Sequence, residues 1–366
     1  MTWMTWLSLI AGLGILVVGA EILVKGASRI ALMLGLSPLV IGLTIVAYGT
    51  SMPEMVVSLQ AALANQADIA IGNVVGSNIF NVLFILGVCS LVMPLIVAQQ
   101  LIRLDVPILI GVSGLLMMFA WDGQLSRVDG VIFATGAIVY TTFLILQSKK
   151  ENNPDVAEEY TQEFGGAVPK TGKQIVIQLA YILGGIILLV VGSNLLVQSS
   201  VQIAKALGIS ELVIGLTLVS AGTSLPELAT SLVATYRGER DIAVGNVIGS
   251  NIFNILAVLG FSSIFAPDGI NVSAAVIRFD LPVMCAVSVV CLPVFITGRL
   301  IARWEGALFL AYYLAYTTYL VLDSTNHENL GTFSHIVLYA VIPATLIALG
   351  LSLLPDLRRQ KGKTKA

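Results

Sequence analysis

The sequence predicts an all-α, polytopic membrane protein made of two inverted five-helix repeats with discontinuous helices, plus an extra C-terminal helix. The first observation behind this prediction is composition. Of the 366 residues 57% are hydrophobic and only 11% are charged, and the mean hydropathy is +0.94, whereas a soluble domain carries roughly 25% charged residues. The second observation is an internal repeat, and the third is an uneven distribution of Lys and Arg between the loops.

Apolar runs long enough to cross a bilayer follow one another along the whole chain. About 20 apolar residues span a hydrocarbon core. Such runs lie at 5–24, 37–64, 69–97, 105–121, 128–147, 174–198, 210–236, 242–266, 278–297, 302–322 and 334–355. We therefore expect a first five-helix repeat at 1–146, a cytoplasmic linker loop at 147–173, a second repeat at 174–322, and a final helix with a basic cytoplasmic tail at 323–366.

The two halves of the chain share two long blocks at the same offset of 173 residues. "LGLSPLVIGLTIVAYGTSMPE" (34–54) matches "LGISELVIGLTLVSAGTSLPE" (207–227) at 15 of 21 positions, and "IAIGNVVGSNIFNVLFILG" (69–87) matches "IAVGNVIGSNIFNILAVLG" (242–260) at 14 of 19. Because each half has an odd number of spans, the second half enters the membrane from the opposite side. Inverted repeats of this kind are typical of secondary transporters with a site near the bilayer midplane.

Lys and Arg placement favours an amino terminus outside and a carboxyl terminus in the cytoplasm. With that orientation 16 of the 19 Lys and Arg residues lie inside, and only Arg127, Lys205 and Arg278 lie outside. An excess of Lys and Arg in cytoplasmic loops is the general rule for membrane proteins. The same asymmetry supports the odd number of spans.

A polar motif interrupts one apolar run in each half. In "GTSMPE" (49–54) and "GTSLPE" (222–227) a proline removes one backbone N–H and frees the carbonyl four residues earlier, at Gly49 and Gly222. Freed backbone groups at membrane depth persist only where they are buried in protein or line a cavity. The motif adds hydroxyl and carboxylate oxygens from Thr50, Ser51 and Glu54 in the first half and from Thr223, Ser224 and Glu227 in the second.

The second shared block supplies further oxygens. "GNVVGSNIFN" (72–81) and "GNVIGSNIFN" (245–254) place a serine and an asparagine four residues apart on one helical face. We predict Ser77, Asn81, Ser250 and Asn254 as ion ligands, and Asn73, Asn78, Asn246 and Asn251 as helix-to-helix ties. Such a set of hard oxygen donors suits Ca²⁺ and Na⁺, and it lacks the thiolate and imidazole ligands that favour zinc or copper.

Other polar residues are interpreted without an ion role. Cys89, Cys285 and Cys291 lie in apolar runs and are expected to be small buried residues. Glu21 precedes Lys25 by four residues and predicts a surface pair. The charged residues at span ends, Arg103, Asp105, Asp122, Asp129, Arg278 and Asp280, are interpreted as interfacial anchors.

The paired motif blocks resemble the two alpha repeats of the cation/calcium exchanger superfamily, in particular its prokaryotic sodium/calcium exchanger branch. The resemblance covers about residues 1–322. It implies ten helices in two inverted halves that exchange Na⁺ for Ca²⁺ by alternating access in a bacterial or archaeal plasma (inner) membrane. It also implies that the backbone carbonyls of Ala47 and Ser220 join the ion ligands; these two positions come from the resemblance alone.

The expected function is therefore Ca²⁺ export in exchange for Na⁺, without an enzymatic activity. The transported ions are Ca²⁺ and Na⁺, no permanently bound cofactor is expected, and the implied partners are small cations and the lipid bilayer, not nucleic acid or another protein. Some family members carry Asp where this chain has Asn254, so the site here has two acids. Proton-coupled Ca²⁺ antiport through the same two glutamates is an alternative of the same class, and a passive cation channel and an intramembrane hydrolase are alternatives of other classes.

Overall fold

A computed structural model describes residues 3–34, 36–150, 171–206 and 220–350. Its helices are α1 (Trp3–Leu34), α2 (Pro38–Thr50), α3 (Met52–Leu63), α4 (Ala67–Val92), α5 (Leu101–Asp122), α6 (Arg127–Lys150), α7 (Gly172–Ala206), α8 (Ser220–Gly222), α9 (Leu225–Tyr236), α10 (Arg240–Phe265), α11 (Val276–Ile296), α12 (Arg303–Ser324) and α13 (Leu330–Gly350). Two-residue strands lie at β1 (Leu95–Ile96), β2 (Gln124–Leu125), β3 (Ile270–Asn271) and β4 (Leu300–Ile301).

The helices fit the predicted all-α membrane architecture. In the described part of the chain eight helices are long and apolar enough to cross a membrane, and nine if the bent pair α2–α3 counts as one span. The predicted span at 302–322 corresponds to α12, which lies outside that set. The predicted span at 210–236 is described only from residue 220, and most of the predicted linker loop and the basic tail lie outside the described residues.

The first helix of each repeat is longer than the apolar run that predicts it. The run at 5–24 becomes α1, which continues to Leu34, and the run at 174–198 becomes α7, which continues to Ala206. The extension of α1 places Lys25 and Arg29 on the helix instead of in a loop. Hydropathy marks where a helix leaves the hydrocarbon core, whereas the helix itself continues until its backbone hydrogen bonds end.

Helices α1 and α7 run antiparallel and approach each other closely at glycines. A Cβ added at Gly12 or Gly19 would lie 2.8 or 2.9 Å from backbone nitrogens of α7, and one added at Gly185 or Gly192 would lie 2.7 Å from backbone nitrogens of α1. Small residues at helix contacts allow this approach within membranes. In the most apolar 18-residue stretch of each helix, only 33% of the α1 residues and 28% of the α7 residues are buried. The pair therefore has one face outside the protein core.

Helices α4 and α10 form the centre of the molecule. In the most apolar 18-residue stretch of each helix, all of the α10 residues and 78% of the α4 residues are buried. The short strands join the two repeats at opposite ends, since β1 pairs antiparallel with β4 and β2 pairs antiparallel with β3. The oxygen-rich segments of both repeats are therefore held inside the bundle.

Two interpretations of single residues from the sequence are wrong. Asp105 is fully buried, where its carboxylate accepts hydrogen bonds from the Tyr140 hydroxyl at 2.9 Å and from the Gln100 amide at 3.2 Å, so it is not an interfacial anchor. Glu21 forms an ion pair with Arg237 of the second repeat and not with Lys25. The expectation for cysteines is confirmed at Cys89 and Cys291, which are buried, while Cys285 is partly buried.

Candidate functional site

The two polar motifs lie at breaks in two helices that occupy repeat-related positions. Helices α2 and α3 meet at Ser51 with a bend of 47°. The second motif breaks between α8 and α9, where Ser224 occupies the equivalent position with nearly the same backbone angles, φ −90° and ψ 8° against −84° and 11° at Ser51. Proline is the second residue of each following helix, a position where its missing N–H costs little.

The carboxylates of Glu54 and Glu227 are both fully buried, and each is held by a serine from the opposite repeat. Ser51 Oγ donates to Glu227 Oε1 at 2.6 Å, and Ser224 Oγ donates to Glu54 Oε1 at 2.8 Å. Because each serine lies three residues before the glutamate of its own helix, this exchange places both carboxylates at the contact between the two breaks. The structure therefore brings the two predicted acids together.

Ser77 and Ser250, from the second shared block of each repeat, complete the two halves of the cluster. Ser77 Oγ lies 3.4 Å from Glu54 Oε1 and 2.9 Å from Ser224 Oγ. Ser250 Oγ lies 3.5 Å from the Ala47 carbonyl, and Thr50 Oγ1 lies 3.4 Å from the same carbonyl. Two hydroxyls thus converge on the carbonyl that only the family resemblance proposed. Ser220, at the related position, begins helix α8.

Asparagines cross-link the repeats around the cluster. The Asn73 amide donates to the Glu54 carbonyl at 3.3 Å and accepts from Thr223 Oγ1 at 3.1 Å. Asn246 makes the related pair of contacts, with the Glu227 carbonyl at 3.4 Å and with Thr50 Oγ1 at 3.2 Å. These bonds hold each glutamate-bearing helix against the helix that follows it and against the other repeat.

A second pair of asparagines ties α4 to α10. Asn78 and Asn251 donate to each other's backbone carbonyls at 3.1 and 3.2 Å. Their side-chain oxygens accept from Asn254 at 3.1 Å and from Asn81 at 3.0 Å. Asn81 and Asn254 each begin a π-helical turn, a local distortion that is frequent at functional sites.

Four buried acceptor oxygens of the glutamates and asparagines described above have no hydrogen-bond donor among the described residues: Glu54 Oε2, Glu227 Oε2, Asn81 Oδ1 and Asn254 Oδ1. They form two repeat-related pairs. Buried polar atoms are almost always hydrogen-bonded, because an unpaired one costs about 1–3 kcal/mol or more. Two of these oxygens belong to the motif glutamates and two to asparagines of α4 and α10, and such unoccupied acceptors are what a cation site needs.

Some contacts near the site could not be predicted from the repeat. Ser193 Oγ of α7 donates to the Gly222 carbonyl at 2.7 Å, which is the carbonyl that Pro226 frees. The related position in α1 is Ala20, so the repeat gave no signal for this bond. Ser58 and Ser231 were also missed, although they are repeat-related, fully buried, and accept from the Asn73 and Asn246 amides at 2.9 Å.

The chain is similar to known proteins over most of its length. A family profile described as sodium/calcium exchanger protein matches residues 4–146 and 177–322. A putative antiporter, CaxA, from Alkalimonas amylolytica is 41% identical over 318 residues, covering 86% of this chain and 98% of the relative. The sodium/calcium exchanger MaX1 from Methanosarcina acetivorans is 35% identical over 347 residues, covering 85% and 97%.

Solved structures show the same similarity in three dimensions. The sodium-calcium exchanger NCX_Mj, soaked with 2.5 mM Na⁺ and 0.1 mM Ca²⁺, superposes with a TM-score of 0.72 at 32% identity, covering 86% of this chain and 97% of that chain. The same exchanger soaked without Na⁺ and Ca²⁺ superposes with a TM-score of 0.71 at 32% identity, covering 86% and 98%.

Proposed function

Given that the chain belongs to the sodium/calcium exchanger family, we propose that it exports Ca²⁺ in exchange for Na⁺ by alternating access, with both ions bound between the repeats. It is an integral membrane exchanger and not an enzyme. The proposed ligands are the twelve residues predicted from the sequence: Ala47, Thr50, Ser51, Glu54, Ser77, Asn81, Ser220, Thr223, Ser224, Glu227, Ser250 and Asn254.

The observation that carries the proposal is the set of four buried oxygens without donors. They belong to Glu54, Asn81, Glu227 and Asn254, one acid and one amide from each repeat. Hard cations such as Ca²⁺ take 6–8 oxygen ligands. Hydroxyls and the Ala47 carbonyl in the same cluster supply the remaining ligands.

The charge of the cluster explains why ion binding and conformational change are coupled. Two ionised carboxylates with 0% exposure are costly in a low-dielectric environment unless a cation neutralises them. One Ca²⁺ cancels the charge of Glu54 and Glu227. The site therefore crosses between its two access states when it is loaded, which links the flux of one ion to that of the other.

The moving part is proposed to be the pair of first helices, over Leu7 to Val24 in α1 and Ile182 to Val197 in α7. Close backbone packing at glycines favours movement of the two helices as one body. The glycine of each motif faces this pair, since a Cβ at Gly49 would lie 2.4 Å from Ile186 Cδ1 and one at Gly222 would lie 2.5 Å from Val197 Cγ2. Movement of the pair would therefore open or cover the site.

We further propose the plasma membrane of a prokaryote as the location, with the amino terminus outside and the carboxyl terminus in the cytoplasm. The proposed division remains a first repeat at 1–146, a linker at 147–173, a second repeat at 174–322, and an additional helix with a tail at 323–366. Lys and Arg distribution supports the orientation.

The site also contains an observation that favours a second candidate, proton-coupled Ca²⁺ antiport. Residue 254 is Asn and not an acid, and its Nδ2 donates to Asn78 Oδ1 at 3.1 Å. The site therefore has two acids, Glu54 and Glu227. Two carboxylates that release one Ca²⁺ can take up two protons without a net change of charge. The counter-ion is therefore the quantity that the experiment must determine.

The experiment measures ⁴⁵Ca²⁺ uptake into proteoliposomes under an imposed Na⁺ gradient, an imposed pH gradient, or neither. We expect uptake driven by the Na⁺ gradient, and loss of that uptake in Glu54→Gln and in Glu227→Gln. Glu328→Gln, an exposed acid outside the cluster, is the matched control and should transport normally.

Each other outcome rejects part of the proposal. Uptake driven only by the pH gradient would replace Na⁺ by H⁺ as the counter-ion. Equal flux with and without a gradient would indicate a channel, and near-normal exchange in either glutamine variant would reject the assigned site.

A further inference from the structure

Tyr48 lies in the first motif helix between residues that line one half of the site. The carbonyl of Ala47, directly before it, lies 3.4 Å from Thr50 Oγ1 and 3.5 Å from Ser250 Oγ of α10. The serine at the break after α2 donates to the Glu227 carboxylate at 2.6 Å. We call this group the Glu227 half of the site, and its members are Ala47, Thr50, Ser51, Glu227 and Ser250. Helices α2 and α10 are thus two of its walls.

The Tyr48 side chain connects α2 with two further helices. Its ring stacks on the Phe253 ring of α10, with the ring centroids 4.2 Å apart and the planes inclined by 31°. Its hydroxyl bonds Thr141 Oγ1 of α6. Because Thr141 donates its own proton to the Ala137 carbonyl at 2.8 Å, Tyr48 is the donor in this bond and Thr141 is the acceptor. The tyrosine therefore ties α2 to both α10 and α6.

Phe253, the partner of the Tyr48 ring, is placed between proposed ligands of α10. It follows Ser250 by three residues and directly precedes Asn254, whose Oδ1 has no donor among the described residues. The phenylalanine side chain is buried. Paired aromatic rings prefer particular arrangements and contribute beyond the area that they bury. The stack of Tyr48 on Phe253 therefore fixes the ligands of α2 relative to those of α10.

The second repeat has the partner ring and the threonine but not the tyrosine. Phe80 of α4 and Thr317 of α12 are the related residues, whereas the residue related to Tyr48 is Ala221. The Phe80 ring instead stacks on the Phe84 ring at 4.7 Å and meets the ring of α12 residue 313, a tyrosine, at 5.3 Å. Alanine has neither a ring nor a hydroxyl. The tie through a tyrosine of the motif helix is therefore a property of the Glu227 half alone.

The three helices that Tyr48 connects lie outside the pair that we propose to move. Helices α2, α6 and α10 are joined to one another by this side chain, whereas the proposed movement concerns α1 and α7. The tie should therefore persist in both access states. Oxygen ligands that are held in place before a cation arrives avoid the free-energy cost of ordering them during binding.

We propose that Tyr48 is a positioning residue for Ca²⁺. By holding α2 against α10 and α6, it keeps the Glu227 half of the site in its ion-binding geometry while the site is empty. The related half around Glu54 lacks this tie. Tyr48 acts through the groups that it positions, so its removal should change the affinity for Ca²⁺. This inference rests on the proposed exchange function and adds a residue outside the ligand set to those that determine affinity.

The test measures Ca²⁺ binding to the detergent-solubilised protein by calorimetry, and ⁴⁵Ca²⁺ exchange in proteoliposomes. Tyr48→Phe keeps the ring stack and removes the hydrogen bond to Thr141. We expect the half-saturating Ca²⁺ concentration to rise about two- to tenfold, which is the range for one neutral hydrogen bond. The maximal exchange rate should stay close to that of the unmodified protein, because Tyr48 contacts helices outside the moving pair.

A second variant removes the other partner of the same bond. Thr141→Val should raise the half-saturating Ca²⁺ concentration by a similar factor, and combining it with Tyr48→Phe should give no further rise, since both substitutions delete one bond. Thr142→Val is the matched control. The Thr142 hydroxyl is exposed and bonds the Ile138 carbonyl of its own helix at 2.7 Å, so this variant should bind Ca²⁺ like the unmodified protein.

Larger substitutions test the ring stack. Tyr48→Ala reproduces the residue of the second repeat and removes both contacts, so we expect a rise of about tenfold in the half-saturating Ca²⁺ concentration. Phe253→Leu should reproduce part of this rise. Phe80→Leu changes the related ring, which has no tyrosine of the motif helix against it, and should have a smaller effect. Equal effects of the two leucine variants would contradict the proposed difference between the halves.

A merely structural role of Tyr48 predicts a different result. Tyr48→Phe would then lower the unfolding temperature of the Ca²⁺-free protein and leave the half-saturating Ca²⁺ concentration unchanged, and this outcome would overturn the inference. Full additivity of the Tyr48 and Thr141 variants would also overturn it. If the exchange function itself is wrong, the unmodified protein shows no counter-ion-driven Ca²⁺ flux, so the two failures are distinguishable.

Discussion

Helices α3 and α9 carry the same motif but have different surroundings. On α9, Leu225, Ala229 and Val233 pack against the apolar cluster that contains α1. On α3 the related residues are Met52, Val56 and Gln60, and Met52 and Val56 are 39% and 50% exposed. The contacts within the site are nearly the same in both repeats, whereas the packing of other helices against α3 and α9 differs.

Under the proposed alternating-access mechanism, this difference indicates that the structure represents one of two access states. If the moving pair occupies one of two positions, it covers the motif helix of one repeat and leaves that of the other exposed. Here α1 lies against α9, and in the proposed orientation this closes the cytoplasmic side. The alternate state would cover α3 with α7 by the same kind of contact.

The largest expected effect tests the symmetric part of the comparison. Ser51→Ala and Ser224→Ala each remove one hydroxyl that donates to the carboxylate of the opposite repeat. A hydrogen bond to a charged group contributes about 1.5–3 kcal/mol, and 1.4 kcal/mol is a factor of ten. We expect each variant to weaken apparent Ca²⁺ affinity about tenfold or more in vesicle flux assays.

The two serine variants should also resemble each other. Their contacts are repeat-related, with distances of 2.6 and 2.8 Å. A strong loss in one variant and a normal affinity in the other would show that the cation uses one half of the cluster, which would break the symmetry that we infer for the site.

A somewhat smaller effect tests whether α1 and α7 move as one body. In Gly185→Ala the new Cβ would lie 2.7 Å from Leu23 N and 2.9 Å from the Gly19 carbonyl, so the helices must separate. Overpacking typically costs about 1–3 kcal/mol. We expect slower exchange and a lower unfolding temperature in detergent.

The neighbouring residue provides the control for the glycine variant. A Cβ at Gly184 meets nothing within 4 Å, and Ala is favoured over Gly inside a helix. Gly184→Ala should therefore preserve both exchange rate and unfolding temperature. Equal behaviour of the two variants would contradict the close contact between α1 and α7.

Features that occur in both repeats could be predicted from the sequence. Glu54 and Glu227 were identified because each lies in the same motif at membrane depth, and the structure brings both into one buried cluster. The predicted ties by Asn78 and Asn251 are present as reciprocal bonds between α4 and α10. Duplication separates such residues from incidental polar residues in apolar helices.

Features that depend on contacts between distant helices, or on where a helix ends, could not be predicted in this way. The ion pair of Glu21 with Arg237 joins residues that are far apart in sequence, and their related positions carry no charge. The Asp105 carboxylate is bonded by Tyr140 of the next helix, and the related Asp280 is bonded by Tyr316, so these contacts depend on how separate helices pack. The lengths of α1 and α7 exceed their apolar runs, so hydropathy alone underestimates them.

The smallest expected effect concerns Ser193, the α7 residue that bonds the Gly222 carbonyl at 2.7 Å. The related residue Ala20 lacks a hydroxyl, so this bond stabilises only the state in which α7 has its present position. A neutral hydrogen bond contributes about 0.5–1.5 kcal/mol, which corresponds to a shift of about two- to tenfold between the states. Ser193→Ala should move the equilibrium toward the alternate state.

Ala20→Ser should move the same equilibrium in the same direction, because the added hydroxyl would reach the Gly49 carbonyl only when α1 takes the related position. The readout is the reaction of Ala234→Cys with a membrane-impermeant thiol reagent applied from the cytoplasmic face, in a background with Cys89, Cys285 and Cys291 replaced by Ser. The reaction rate should rise modestly in both variants. Gly14→Ala, where a Cβ meets nothing within 4 Å, is the neutral control on α1. Opposite shifts in the two variants would contradict a repeat-related exchange of positions between α1 and α7. Both substitutions favour the same state only if each helix takes over the contacts that the other helix makes in the first state.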